Sequence, residues 1–99
     1  MIKGIVGCKV RKDKDFGPFL LKLRSHAMQF QGFKGMENLV GEENTSVVAV
    51  VSTWESLEDW KSWIQSTITQ DLLREAHTLL TEAPRVTTYM LMMPAVTWV

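Results

Sequence analysis

Ninety-nine residues suffice for one domain, and residues 1–99 are read as that single domain. Eleven basic and eleven acidic side chains cancel, and no basic stripe runs along the chain, so nucleic acid is not an expected partner. Cys8 is the sole cysteine, which excludes an internal disulfide and points to a reducing, cytoplasmic setting. The first residues lack the layout of a signal peptide, and no apolar run reaches the roughly 18 residues of a membrane span, so no membrane association is expected. Four Trp, four Phe and six Met in a chain that is 45% hydrophobic are ample for a small core. Part of this material is expected at a subunit interface or a pocket.

Ile2 to Val10 reads as a first strand, with Ile5, Val6, Cys8 and Val10 as apolar members. Gly4 and Gly7 inside it mark a bulge or a close backbone approach. After the polar turn Arg11–Asp15, a helix starts near Gly17-Pro18, where proline's missing N–H is not needed. Phe16, Phe19, Leu20, Leu23, Ala27 and Phe30 form its apolar face, and His26 lies at the margin. Gln31-Gly32 ends it. Phe33 to Val40 is a second, weaker strand, and the polar loop Gly41–Thr45 joins it to a third.

Val47 to Val51 is an unbroken apolar run in which every residue but Ala49 is β-branched. Such a run is a strand apolar on both faces. Ser56 and Asp59 then cap a short helix carrying Trp60, Trp63 and Ile64. The chain breaks at Ser66-Thr67, and Thr67 with Gln70 caps a third helix whose stripe is Ile68, Leu72, Ala76, Leu79 and Ala83. Pro84 stops it. Arg85 to Met93 is a fourth strand, followed by the tail Pro94–Val99.

The order β-α-β-β-α-α-β is the split βαβ, or ferredoxin-like, plan of an α+β protein. Its antiparallel sheet carries helices on one face only, so the second apolar face of strand three requires a cover. The expected cover is a second copy, in a homodimer formed through the open sheet face, with Trp98 and Val99 reaching the partner.

No metal-ligand cluster and no phosphate-cradling glycine loop is present. His77 borders the apolar stripe of helix three at spacing four from Leu73. It reads either as a half-buried histidine with a backbone partner or as a base at a pocket edge. Trp63 has the same duality between core and pocket wall, while Trp54 and Trp60 are most simply core or interface residues. The expected site is a cavity bordered by Trp63 and His77, with His26, Phe30 and Trp60 as substrate-binding residues.

The stretch Trp54-Glu55-Ser56-Leu57-Glu58-Asp59-Trp60-Lys61-Ser62-Trp63-Ile64-Gln65-Ser66 resembles the signature of the antibiotic biosynthesis monooxygenase family, with support from Gly32–Met36 and Thr88-Tyr89. The resemblance implies a dimeric α+β barrel. Members include cofactor-free oxygenases of aromatic polyketides and heme-degrading monooxygenases. In the heme-degrading branch a Trp on helix two, a His on the next helix and an Asn on strand one form the site. Trp63 matches the Trp in register, and Ala76-His77 lies about one turn beyond the His segment. Strand one offers Ile5, Val6, Gly7 and Cys8 and no Asn, so heme turnover is not expected, while His77 leaves heme binding open.

Two functions follow. One is a cofactor-independent monooxygenase of a small aromatic or quinol-like substrate, with His77 as base and Trp63 and Phe30 as walls. The other is a dimeric barrel that binds a small apolar ligand without turnover.

Overall fold

The computed structural model describes residues 1–92. The tail Pro94–Val99, with the expected partner contacts of Trp98 and Val99, and Met93 lie outside the described residues; strand four, expected to run to Met93, ends at Met90, and Leu91 and Met92 follow it outside the sheet. Four strands, β1 (Ile2–Lys9), β2 (Phe33–Val40), β3 (Val47–Trp54) and β4 (Arg85–Met90), form one antiparallel sheet in the order β2-β3-β1-β4. The helices are α1 (Gly17–Ala27), α2 (Leu57–Ile64) and α3 (Thr67–Glu75), and a 3-10 turn (Ala76–Thr78) follows α3 directly. The split βαβ plan is therefore present in full, as an α+β fold.

Pairing registers fix which side chains share a face. Val6 pairs with Val50, Cys8 with Val48 and Ile2 with Trp54 on the central β1–β3 ladder. These residues are buried, under the helices. Their alternates Ile5, Gly7, Ala49 and Val51 are only half-buried and point to the face that no helix among the described residues covers. Strand three is thus apolar on both sides, with Val48 and Val50 in the helix-side core and Val47, Ala49 and Val51 on the open side.

Local sequence explains the helix ends. Asp15 Oδ1 accepts from the Gly17 N–H at 3.0 Å, so a carboxylate orients the entry of α1 although Phe16 itself offers no cap. The exit of α1 passes through Gly32 at φ +83, where a Cβ would also collide with the Asp59 side chain. At α2, Ser56 Oγ accepts from the Asp59 N–H at 3.2 Å, as the capping pattern predicts. The cap of α3 is Ser66 rather than Thr67. Ser66 Oγ accepts from the Thr69 N–H at 3.2 Å and donates to the Trp63 carbonyl at 2.8 Å. Gln70 Nε2 donates to the Ile64 carbonyl at 2.7 Å, so the α2–α3 junction is bridged by side chains.

Candidate functional site

Three indoles occupy the space between α2 and the sheet. Trp54 ends β3, while Trp60 and Trp63 sit one turn apart on α2. Trp54 and Trp63 stack with centroids 5.4 Å apart at 25°, and Trp60 tilts against both at 6.4 and 5.8 Å. Phe33 closes the cluster edge-on to Trp54 at 5.5 Å. Offset and edge contacts of this kind add to the burial of large apolar surfaces. None of the three indoles is more than 2% exposed.

Gly4 is what admits them. A Cβ at Gly4 would run into the Trp60 ring, so the glycine inside β1 is the close approach that its position suggested. Two indole N–H groups are satisfied: Trp54 Nε1 donates to Ser52 Oγ and Trp60 Nε1 to Thr88 Oγ1, each at 2.9 Å. Trp63 Nε1 is buried with no acceptor among the described residues.

The other expected site residues are dispersed. His77 lies in the 3-10 turn and is exposed. It borders a concavity of about 260 Å³ on the helix side of the β4 edge, lined by Gln70, Leu73, Arg74, His77, Ala83, Pro84 and Val86. Trp63, Trp60, His26 and Phe30 do not line it. His26 and Phe30 are half-buried at the C-terminal end of α1, where Phe30 packs against the core. Helix three had been expected to continue to Ala83. It gives way instead to the 3-10 turn after Glu75, and that change of winding falls at His77.

Arg74 and Gln70 were not singled out from the sequence, although Gln70, Leu73, Arg74 and His77 recur at the three-and-four spacing of one helix face. Arg74 Nη1 is paired with Asp71 Oδ1. The apolar walls come from Leu73, Ala83, Pro84 and Val86. An imidazole and a guanidinium, the latter paired with Asp71, thus both line a small hollow with apolar walls.

Cys8 is buried, and burial pushes its thiol up to about 11 from 9.0. A thiol held protonated in this way is no nucleophile at neutral pH. Among the described residues no group of three His, Cys, Asp or Glu is placed to hold a metal ion, and no helix is long and apolar enough to cross a membrane. For heme the residues do not fit. The Trp63 indole is enclosed by Trp54 and Trp60, and the hollow beside His77 is too small for a tetrapyrrole.

No protein-family model matches the sequence, and no curated protein does. Solved structures match it closely in shape. A variant of SnoaB, a cofactor-independent oxygenase from Streptomyces nogalater, superposes with a TM-score of 0.81 over 96% of both chains at 8% identity. An antibiotic biosynthesis monooxygenase superposes with a TM-score of 0.78 over 95% of this chain and all of its own, at 12% identity. A conserved protein from Methanosarcina mazei Go1 gives 0.80 over 89% of both chains at 14% identity. The chain therefore has the ferredoxin-like fold of the antibiotic biosynthesis monooxygenases, as the Trp54–Ser66 resemblance implies. Identities this low carry the fold and leave the activity to the site.

Proposed function

We propose that this protein is a cofactor-independent monooxygenase acting on a small aromatic or quinol-like substrate, and that it works as a homodimer joined through the open sheet face. The observation that carries the reading is the likeness, over nearly the whole chain, to a cofactor-independent oxygenase. The hollow beside His77 supplies the chemistry. Its volume of about 260 Å³ takes a ligand of one or two rings.

His77 is the base. Removing a proton from an activated ring CH₂ leaves a carbanion that reduces oxygen directly. The CH₂ becomes a C=O, one oxygen atom enters the product and the other leaves as water, so substrate and oxygen balance without a further reductant. Imidazole suits the proton transfer because its ordinary pKa lies near neutrality. Arg74 at the rim stabilises the developing anion. Trp60, Trp63, His26 and Phe30 make no contact with a substrate held in this hollow; their part in this reading is to support the helices around it.

Ligand binding without turnover is the second reading, and one observation favours it. The three indoles already fill the space beneath α2, so the protein offers an exposed hollow rather than a dry internal chamber. Oxygen consumption with a series of one- and two-ring quinols and hydroxylated tetralones separates the two. The first reading expects uptake that disappears in His77→Ala. Ligands that raise the melting temperature without any oxygen uptake would establish the second.

A further inference from the structure

The other end of the molecule carries a different kind of concavity. It lies between the β1–α1 turn and the β2–β3 loop, has a volume of about 480 Å³, and is lined by Val10, Arg11, Lys12, Lys14 and residues 43–46. Three cations therefore face one carboxylate, Glu43, in a chain whose net charge is zero.

Four cations elsewhere are ion-paired, two donate to neutral oxygens, and Lys61 and Arg85 have neither kind of partner among the described residues. Lys9 pairs with Glu82 at 3.1 Å, Lys22 with Glu75 at 3.6 Å, Lys34 with Glu55 at 3.0 Å and Arg74 with Asp71. Lys3 donates to Thr53 and Arg24 to the Met36 carbonyl. Among the described residues, Arg11, Lys12 and Lys14 have no carboxylate within 4.0 Å. Asp13, Asp15 and Glu42 belong to the same two segments but do not line the hollow.

The walls are held in place. The Arg11 N–H donates to the Leu79 carbonyl at 2.8 Å, and Arg11 Nε to the Leu80 carbonyl at 3.1 Å, which fixes the guanidinium while its terminal nitrogens have no partner among the described residues. Across the hollow, Asn44 Oδ1 accepts from the Ser46 N–H at 3.0 Å, and Val10 N–H donates to the Ser46 carbonyl at 2.8 Å. The two loops are thus tied together, with Thr45 and Ser46 in the same lining.

We propose that this hollow binds the phosphate group of a small phosphorylated molecule, with Arg11, Lys12 and Lys14 as its charge partners and Thr45 and Ser46 as hydroxyl donors. A phosphate monoester carries about −1.5 to −2 at pH 7, which meets the formal excess of two positive charges. A planar guanidinium beside two ammonium groups suits three-fold phosphate oxygens better than it suits a single carboxylate. The site lies apart from the His77 hollow and shares no lining residue with it. It therefore stands whether or not the oxygenase reading does.

Amide chemical shifts of the full chain, titrated with inorganic phosphate and with pyrophosphate at low ionic strength, test the proposal. Signals of residues 10–14 and 43–46 are expected to move saturably and more with pyrophosphate than with chloride at equal ionic strength. The double variant K12E/K14E is expected to weaken pyrophosphate binding by roughly tenfold or more, while circular dichroism shows the same fold. Lys61→Glu, an equally exposed charge change on α2, is expected to leave the affinity within about twofold. Shifts that match those with chloride, or an equal loss of affinity in Lys61→Glu, would overturn it.

Discussion

Val50 and Val51 are neighbours on one strand and live in different solvents. Val50 is 1% exposed beneath the helices, and Val51 looks out of the face that no helix covers. The residues around them are of similar kind: Val6, Cys8 and Val48 on the covered side, Ile5, Ala49 and Leu39 on the open one. Composition does not make the difference. Both crossovers of a split βαβ fold share one hand, so α1 and the α2–α3 pair land on the same face. The other face keeps its apolar centre, with Lys3, Glu37 and Arg85 in the same outward register. The covered face is stabilised by the chain itself, while the open face is the one that the proposed dimer would bury.

The sharpest way to break this contrast is a charge on either side of β3. Val50→Asp sets a carboxylate in the dry core and is expected to cost several kcal/mol, enough to unfold a small domain. Val51→Asp sets the same charge on the open face. The proposed dimer predicts a chain that folds, by circular dichroism, yet runs as a monomer in light scattering at micromolar concentration. Equal unfolding by both substitutions would erase the distinction between the faces. A wild-type chain that is already monomeric would remove the dimer.

Within the covered face, the largest single contribution is expected from the indoles. Trp60→Ala should cost about 3–5 kcal/mol in urea unfolding. Gly4→Ala should cost less, about 1–3 kcal/mol, because the added methyl meets the Trp60 ring and overpacks the core. Shrinking the ring first, with Trp60→Leu, should remove most of the Gly4→Ala penalty. Strict additivity in that cycle would mean that the glycine matters for another reason.

Gly4 also explains where the sequence was legible and where it was not. Element order was readable because each segment carries its own period: two-sided apolar β3, the 3.6-residue faces of α1 and α3, and the Ser56 cap. The fate of the tryptophans was not. Three indoles within ten residues suit a pocket wall or a packed core equally well. The choice is decided by a glycine more than fifty positions away that leaves room for a ring. The winding at His77 was not legible for a local reason: its neighbourhood reads as continuous helix, while the chain tightens into a 3-10 turn at Ala76–Thr78. The α3 cap moved by one residue because the Ser66 hydroxyl reaches both the Thr69 N–H and the Trp63 carbonyl.

Cys8 gives a smaller effect on the covered face, set by pH. Its thiol ionises near 9.0 when unfolded and near 11 when folded. The native state keeps the proton longer, so the burial of Cys8 contributes its full stability below pH 9 and loses it as pH rises from about 9 to 11. The loss amounts to roughly 3 kcal/mol at most. Urea midpoints at pH 8 and pH 10.5 should fall further for the wild type than for Cys8→Ala. Parallel declines would show that other groups carry the alkaline sensitivity.

His77→Ala should disturb the fold least of all. The side chain is exposed, makes no ion pair among the described residues and sits in a 3-10 turn whose backbone bond, from the Leu79 N–H to the Ala76 carbonyl at 2.8 Å, does not involve it. Surface substitutions of this kind stay within about 0.5 kcal/mol. The proposed chemistry asks for the opposite sensitivity. Losing the base should abolish oxygen uptake while substrate still enters the hollow formed by Leu73, Pro84 and Val86. Binding and turnover should therefore separate: an unchanged ligand-induced rise in melting temperature beside absent oxygen consumption. Val86→Trp, which fills the hollow from β4, should remove both together. If His77→Ala turns substrate over at the wild-type rate, the base lies elsewhere and the hollow is a binding site at most.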